Sequence, residues 1–221
     1  MSHIDFISRV HTRTQRDYVS ERVTGVDKAK CAKIAKQFGE DYWDGAREHG
    51  YGGYYYDGRW YAVAEQMMKH YGLESGNKIL DVGCGKGYLL YEFTRLLPGV
   101  NVAGIDISEY AIDNAKEEVN PFLRVGNAVE LPYDDNYFDF VVSINTLHNL
   151  YVYDLQQALR EIERVGREHK YIVVDSYRTE REKVNLLNWQ LTCECFYIPE
   201  EWEWLFIESE YTGDYGYVFY E

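Results

Sequence analysis

The chain has 221 residues, enough for one domain with a substantial core. A formal net charge of −14 argues against a nucleic-acid backbone as main partner, because phosphates are neutralised by lysine and arginine. No stretch is long and apolar enough for a membrane span, and Met1 to Val10 lacks a signal-peptide core, so a cytoplasmic protein is expected.

In chain order, residues 1–40 are polar, with a helical pattern from Asp27 to Phe38. Next come Asp41-Tyr42-Trp43-Asp44-Gly45 and Tyr51-Gly52-Gly53-Tyr54-Tyr55-Tyr56-Asp57-Gly58-Arg59-Trp60, part of an unusual total of 22 tyrosines. Glycines and aromatics so closely mixed suit neither helix nor strand. They fit a loop that wraps a ligand, with Arg59 as a planar anion fork, or an aromatic plug covering the sheet. Trp60 to Tyr71 reads as a helix carrying Val63, Ala64, Met67 and Met68.

Strands and helices then alternate: strand Lys78 to Val82, helix Tyr88 to Leu97, strand Val102 to Asp106, and a Ser108-capped helix through Val119. Strands follow at Phe122 to Asn127, Phe138 to Asn145 and Tyr171 to Asp175, with helix Val152 to Val165 between the last two. Such alternation predicts a largely parallel sheet with helices on both faces. In the tail, Thr179 to Gln190 and Pro199 to Glu208 read as helices, Leu191 to Ile198 as strand or lining loop, and Tyr215 to Tyr220 as a final strand. Residues 1–221 are taken as one domain, with 1–60 as a cap on the substrate side and 61–221 as the α/β core.

The organising stretch is Lys78-Ile79-Leu80-Asp81-Val82-Gly83-Cys84-Gly85-Lys86-Gly87. Strand, glycine turn and helix place backbone N–H groups beside a crevice, as nucleotide sites require. Asp81 would repel a pyrophosphate there but could accept from an ammonium group, so a nucleoside joined to an amino acid fits better. Asp106, 19 residues beyond Gly87, can take both hydroxyls of a ribose. Ile107 offers an apolar face to a base, and Asn127 with the Ala128 N–H a polar edge, unless Asn127 simply forms a turn. His148 follows the fourth strand and is the best-placed titratable base, or else a buried hydrogen-bonded histidine. Cys31, Cys84, Cys193 and Cys195 form no Cys-x-x-Cys, no complete metal-ligand set is legible, and no metal is expected.

ILDVGCGKG, AGIDIS and VGNAVELPYDDNYFDFVVSINTLHNL at these spacings resemble class I S-adenosylmethionine-dependent methyltransferases over about residues 76–177. The resemblance implies a Rossmann-like, seven-stranded sheet of order 3-2-1-4-5-7-6 with only the seventh strand antiparallel. It implies S-adenosyl-L-methionine as cofactor and S-adenosyl-L-homocysteine as product. Asp81, Gly83, Cys84 and Gly85 would border the methionine end, Asp106 the ribose, Ile107 the adenine ring, and Asn127 and Ala128 the adenine edge. Asn145 would offer its carbonyl to the cofactor amine. Asn127 departs from the aspartate many members carry. The DYWDG and GYGGYYYDGRW segments are similar to those of bacterial members associated with surface-polysaccharide or other small-molecule pathways.

The expected reaction is transfer of a methyl group to a hydroxyl, carboxylate or phosphate oxygen of a small polar metabolite, with His148 as base where one is needed. Tyr42, Trp43, Tyr54, Tyr55, Tyr56, Arg59 and Arg178 are the substrate-side candidates. N-methylation of a small amine and a non-catalytic cofactor-binding scaffold are the alternatives. Residues 1–60 would act as a lid or as the arm of a homodimer.

Overall fold

In the computed structural model, which describes residues 1–11 and 27–221, the strand ending in Asp81-Val82 is one of two central strands of a six-stranded sheet. The strands are β1 (Lys78–Val82), β2 (Asn101–Asp106), β3 (Leu123–Val125), β4 (Phe138–Ile144), β5 (Gly166–Asp175) and β6 (Asp214–Val218). They lie in the order β3-β2-β1-β4-β5-β6, and every neighbouring pair is parallel. Parallel pairing directs the carboxyl ends of β1, β2, β4 and β5 to one edge, where Asp81, Asp106, Asn145 and Asp175 gather.

After a single helical turn at Ser8–His11 the helices are α1 (Lys28–Ala35), α2 (Glu40–Trp43), α3 (Tyr61–Tyr71), α4 (Tyr88–Leu96), α5 (Glu109–Asp113), α6 (Val152–Val165), α7 (Glu180–Trp189) and α8 (Pro199–Glu208). One sheet face is covered by α3 and α4 through Val63, Ala64, Met67, Leu90 and Phe93, which pack with Phe6, Phe140 and Tyr171. The other is covered by α6 and α8 through Leu155, Leu159, Ile162, Trp202 and Phe206. Each fully buried side chain of this kind contributes about 1.5–3 kcal/mol. The predicted helix beyond Ser108 stops at Asp113 rather than Val119, because the Asn120 amide takes the Ile112 carbonyl and turns the chain.

Seven strands in the order 3-2-1-4-5-7-6 do not form. The described residues hold six, and the last runs parallel to β5. Two helices, α7 and α8, separate β5 from β6, so the chain enters β6 through a helical crossover, which delivers a parallel strand; a hairpin would have delivered an antiparallel one. Leu191–Ile198 cannot supply the missing strand. Its Glu194 and Cys195 N–H groups both donate to the His148 carbonyl, which lashes it across the end of β4. The outer side of β6 is met by the start of the chain: the Ile4 N–H donates to the Tyr215 carbonyl (2.8 Å) and the Tyr215 N–H to that of Ser2 (3.0 Å).

Candidate active site

Between β1 and α4 the chain turns on Gly83, Gly85 and Gly87, with φ of +82°, +52° and +72°. That left-handed backbone is why glycine recurs at alternate positions. Space demands it too: a Cβ on Gly83 would sit 2.0 Å from Thr146 Oγ1, and one on Gly85 2.8 Å from the Trp43 ring. The turn is locked to β2, since Gly83 and Cys84 N–H groups donate to the Ile105 carbonyl and the Gly85 N–H donates to Asp106 Oδ2 at 2.7 Å. Asp106 Oδ1 accepts from the Ser108 N–H at 2.8 Å. Burial raises the Asp106 pKa, and these two backbone donors oppose the shift.

Asp81 is 4 % exposed, and among the described residues no donor reaches its carboxylate. Burial, and secondarily the Asp106 charge, push its pKa up to about 8. Ile107 stands 55 % exposed beside Asp106, an apolar surface awaiting a cover. Asn127 is exposed, and its Oδ1 accepts from the Val129 N–H (3.1 Å), so the side chain also shapes its own turn. Asn145 adopts φ +55° beyond β4, and among the described residues its buried Oδ1 has no hydrogen-bond partner. Its carbonyl accepts from Asn149 Nδ2 at 3.3 Å.

His148 is 1 % exposed. Its Nδ1 accepts from the Asp175 N–H (3.1 Å), which leaves the proton on Nε2, 3.4 Å from Asp175 Oδ2. Burial lowers its pKa, with the Asp175 charge opposing, so the ring stays neutral. The Asp175 carboxylate also accepts from Tyr220 Oη (3.1 Å) and from Gln190 Nε2. His148 therefore faces Asp175 with both ring nitrogens.

Residues 38–54 lie across the same edge. Lys86, inside the glycine turn and 3 % exposed, donates from Nζ to Asp44 Oδ2 at 2.6 Å and to the Tyr54 carbonyl at 3.2 Å. Tyr110 Oη donates to the same Asp44 oxygen at 2.9 Å. Trp43 lies over Gly85, its Nε1 donating to Ser108 Oγ (2.9 Å) and the Phe38 carbonyl (3.1 Å). Tyr51 stacks on Trp43 with centroids 5.2 Å apart at 11°, and Tyr54 stacks on Tyr88 at 5.1 Å. The Tyr42 and Tyr51 rings meet edge to face, with centroids 5.3 Å apart at 73°. Burial raises both phenol pKa values, and the Asp106 charge adds to each.

A family profile described as "Methyltransferase domain" matches residues 73–216, most of the chain. The chain belongs to the class I S-adenosylmethionine-dependent methyltransferases. S-adenosylmethionine is accordingly its cofactor and methyl transfer its chemistry. A profile for protein-L-isoaspartate(D-aspartate) O-methyltransferase also matches residues 4–129. Demethylmenaquinone methyltransferase of Staphylococcus aureus (strain JH9) is 39 % identical over 106 residues, 46 % of this chain and 43 % of the relative. The match thus spans under half of that relative's length. YcgJ from Bacillus subtilis superposes with TM-score 0.53 at 22 % identity, over 66 % of each chain. Geranyl diphosphate C-methyltransferase from Streptomyces coelicolor A3(2) gives TM-score 0.55 at 18 % identity, over 67 % of this chain and 60 % of that one. At such identities these two superpositions speak for the fold alone.

For this methyltransferase, the residues singled out from sequence divide by location. Asp81, Gly83, Cys84, Gly85, Asp106, Ile107 and Asn145 meet at the carboxyl edge, with Asn127 and Ala128 just beyond β3. Tyr42, Trp43 and Tyr54 lie over them. Tyr55 points outward at 71 % exposure, while Tyr56 donates to Glu92 Oε1 at 2.7 Å on the flank of α4. Arg59 is forked onto Asp57, and Arg178 is held by Glu182 and Glu221. Sequence reasoning singled out none of Asp44, Lys86, Asp175, Gln190, Thr192 or Tyr220. Lys86 carried a readable signal, a lysine between two turn glycines; the others meet only where the N-terminal segment, the crossovers and the C-terminal loop come together. Among the described residues no helix is long and apolar enough to cross a membrane.

Proposed function

We propose that this methyltransferase acts on a hydroxyl of a small, uncharged or basic molecule held beneath residues 38–60 of the expected 1–60 cap, with residues 61–221 as the α/β core of the same domain. The carrying observation is that Asp81, Asp106 and Asp175 are buried at one edge and no lysine or arginine among the described residues bonds to any of them. That edge suits a cationic cofactor, and the cofactor fits the donor set: Asp81 lacks a donor, Asn145 Oδ1 is orphaned, and Ile107 is uncovered. In this reading Asp106 holds the ribose hydroxyls, Ile107 one adenine face, and Asn127 and Ala128 the adenine edge. Asp81, Gly83, Cys84, Gly85 and Asn145 border the amino-acid end. When bound, the cofactor supplies an electrophilic methyl group on its sulfonium.

The acceptor would lie against Tyr42, Trp43, Tyr51 and Tyr54, oriented by the hydroxyls of Tyr42, Tyr51 and Thr192. The aromatic walls exclude water and favour positive charge. His148 serves as a positioning residue that fixes Asp175 and keeps its orientation toward the Tyr220 hydroxyl. Arg59 and Arg178 are committed to carboxylates, which favours a hydroxyl over a carboxylate or phosphate acceptor. Demethylmenaquinone and geranyl diphosphate name the substrates of two similar proteins. A diphosphate would need cations that Lys86, Arg59 and Arg178 do not spare. The acidic edge favours one second reading, transfer to a small amine.

The test is a screen of purified protein with methyl-labelled cofactor against hydroxy, amino and phosphorylated small molecules, read by mass. A product with one added CH₂ from a hydroxy compound supports the reading, and one from an amine moves it to the second. Methylation confined to phosphorylated compounds and abolished by Arg59→Ala overturns both.

A further inference from the structure

Beyond the methyl-transfer edge, one group of ligating side chains stands apart. Cys31 in α1, Glu48 and His49 each offer an atom, and the three atoms lie within 4.8 Å of one another. Cys31 is 4 % exposed, and His49 Nδ1 is buried with no hydrogen-bond partner among the described residues. His49 Nε2 is 3.5 Å from Glu48 Oε1. Imidazole, thiolate and carboxylate together form a donor set characteristic of zinc. Zinc bonds of about 2.0–2.3 Å in a tetrahedron put ligand atoms roughly 3.3–3.8 Å apart. The 3.5 Å between Glu48 and His49 already falls in that range, and the longest separation needs to close by at most about 1.5 Å.

We propose that Cys31, Glu48 and His49 bind a zinc ion, with a fourth position left to water, and so tie α1 to the loop after α2. The location gives the ion a consequence. Cys31 packs with Ala35 and Leu191 against Tyr42, and the Tyr51 N–H, two residues beyond His49, donates to the Tyr42 carbonyl at 2.8 Å. A bound ion fixes the backbone behind the Tyr42–Tyr51 ring pair and holds this segment in register over the glycine turn. Binding converts the Cys31 thiol to thiolate and releases its proton to solvent. The inference does not depend on which acceptor is methylated.

The test uses the full chain stripped with chelator and titrated with Co²⁺, then Zn²⁺. The expected result is one equivalent of Co²⁺ with a thiolate charge-transfer band and tetrahedral visible absorption, both erased by Zn²⁺. Cys31→Ser should abolish the band, and His49→Gln should weaken zinc by roughly a hundredfold, as loss of one of a few ligands implies. Cys193→Ser should leave both unchanged. A band that survives Cys31→Ser, or disappears with Cys193→Ser, overturns the site. Should the variants fail to fold, X-ray absorption of the zinc-loaded wild type decides: one sulfur and two or three nitrogen or oxygen neighbours support it, and a sulfur-free shell sinks it.

Discussion

Replacing Asp81 by asparagine pits cofactor binding against stability. With its pKa raised from 3.8 to about 8 by burial, the carboxyl binds a proton in the folded state that the unfolded chain has released. The folded pKa lies above the unfolded one, so stability falls as pH rises from about 4 to 8 and levels off above that. Four pKa units at about 1.4 kcal/mol each set a ceiling of about 5 kcal/mol. The asparagine amide also needs partners, which reduces the net gain from the substitution to about 1–3 kcal/mol at pH 8. Urea unfolding of cofactor-free protein at pH 5 and pH 8 measures this. Asp81→Asn should be more stable than wild type at pH 8, by a margin that shrinks toward pH 5. The same variant should bind S-adenosylmethionine about 10- to 100-fold more weakly, the value of a charge-assisted hydrogen bond. A variant less stable at pH 8, or a difference independent of pH, would refute the reasoning.

Asp44→Ala strands the Lys86 ammonium and should cost about 3–5 kcal/mol, whereas Asp44→Leu combined with Lys86→Met should recover most of it, read by thermal unfolding. Gly83→Ala forces a left-handed φ on alanine and drives its Cβ into Thr146, so purified variant should lose about 2 kcal/mol or more and most cofactor affinity. Tyr51→Phe should raise KM for the acceptor while leaving the Kd of the cofactor within about twofold, since it removes a hydroxyl proposed to orient the acceptor and keeps the ring that stacks on Trp43. For His148, burial depresses the folded pKa, so the unfolded chain binds the extra proton and stability drops as pH falls below about 6.5. His148→Asn should flatten that acid limb in melts between pH 7.5 and 5.

The β1 strand, glycine turn, α4 and Asp106 were legible because each is a local pattern: an apolar run, glycines where φ is positive, an acid at a strand end. Helix α6 was read from Val152 to Val165 and forms over the same residues, since its apolar positions recur at helical spacing. The sheet edge was not legible. Parallel or antiparallel entry of β6 depends on whether the preceding chain folds as crossover helices or as a hairpin, and Leu191–Ile198 is decided by the His148 carbonyl, 46 positions before Glu194. The Lys86–Asp44 pair and the ring of groups about Asp175 escaped for the same reason: their members meet only in three dimensions. Arg59 looked like an anion fork, and Arg178 like a substrate-side residue, because sequence shows a guanidinium and not the carboxylate it is bound to.

Calorimetric titration of purified, ligand-free protein with S-adenosylmethionine tests the central claim most directly. Run at pH 7 in two buffers of different ionisation enthalpy, it should show saturable binding and release of a proton, as the cationic cofactor drives the buried Asp81 carboxyl to ionise. Correctly folded protein that takes up no cofactor would contradict the account.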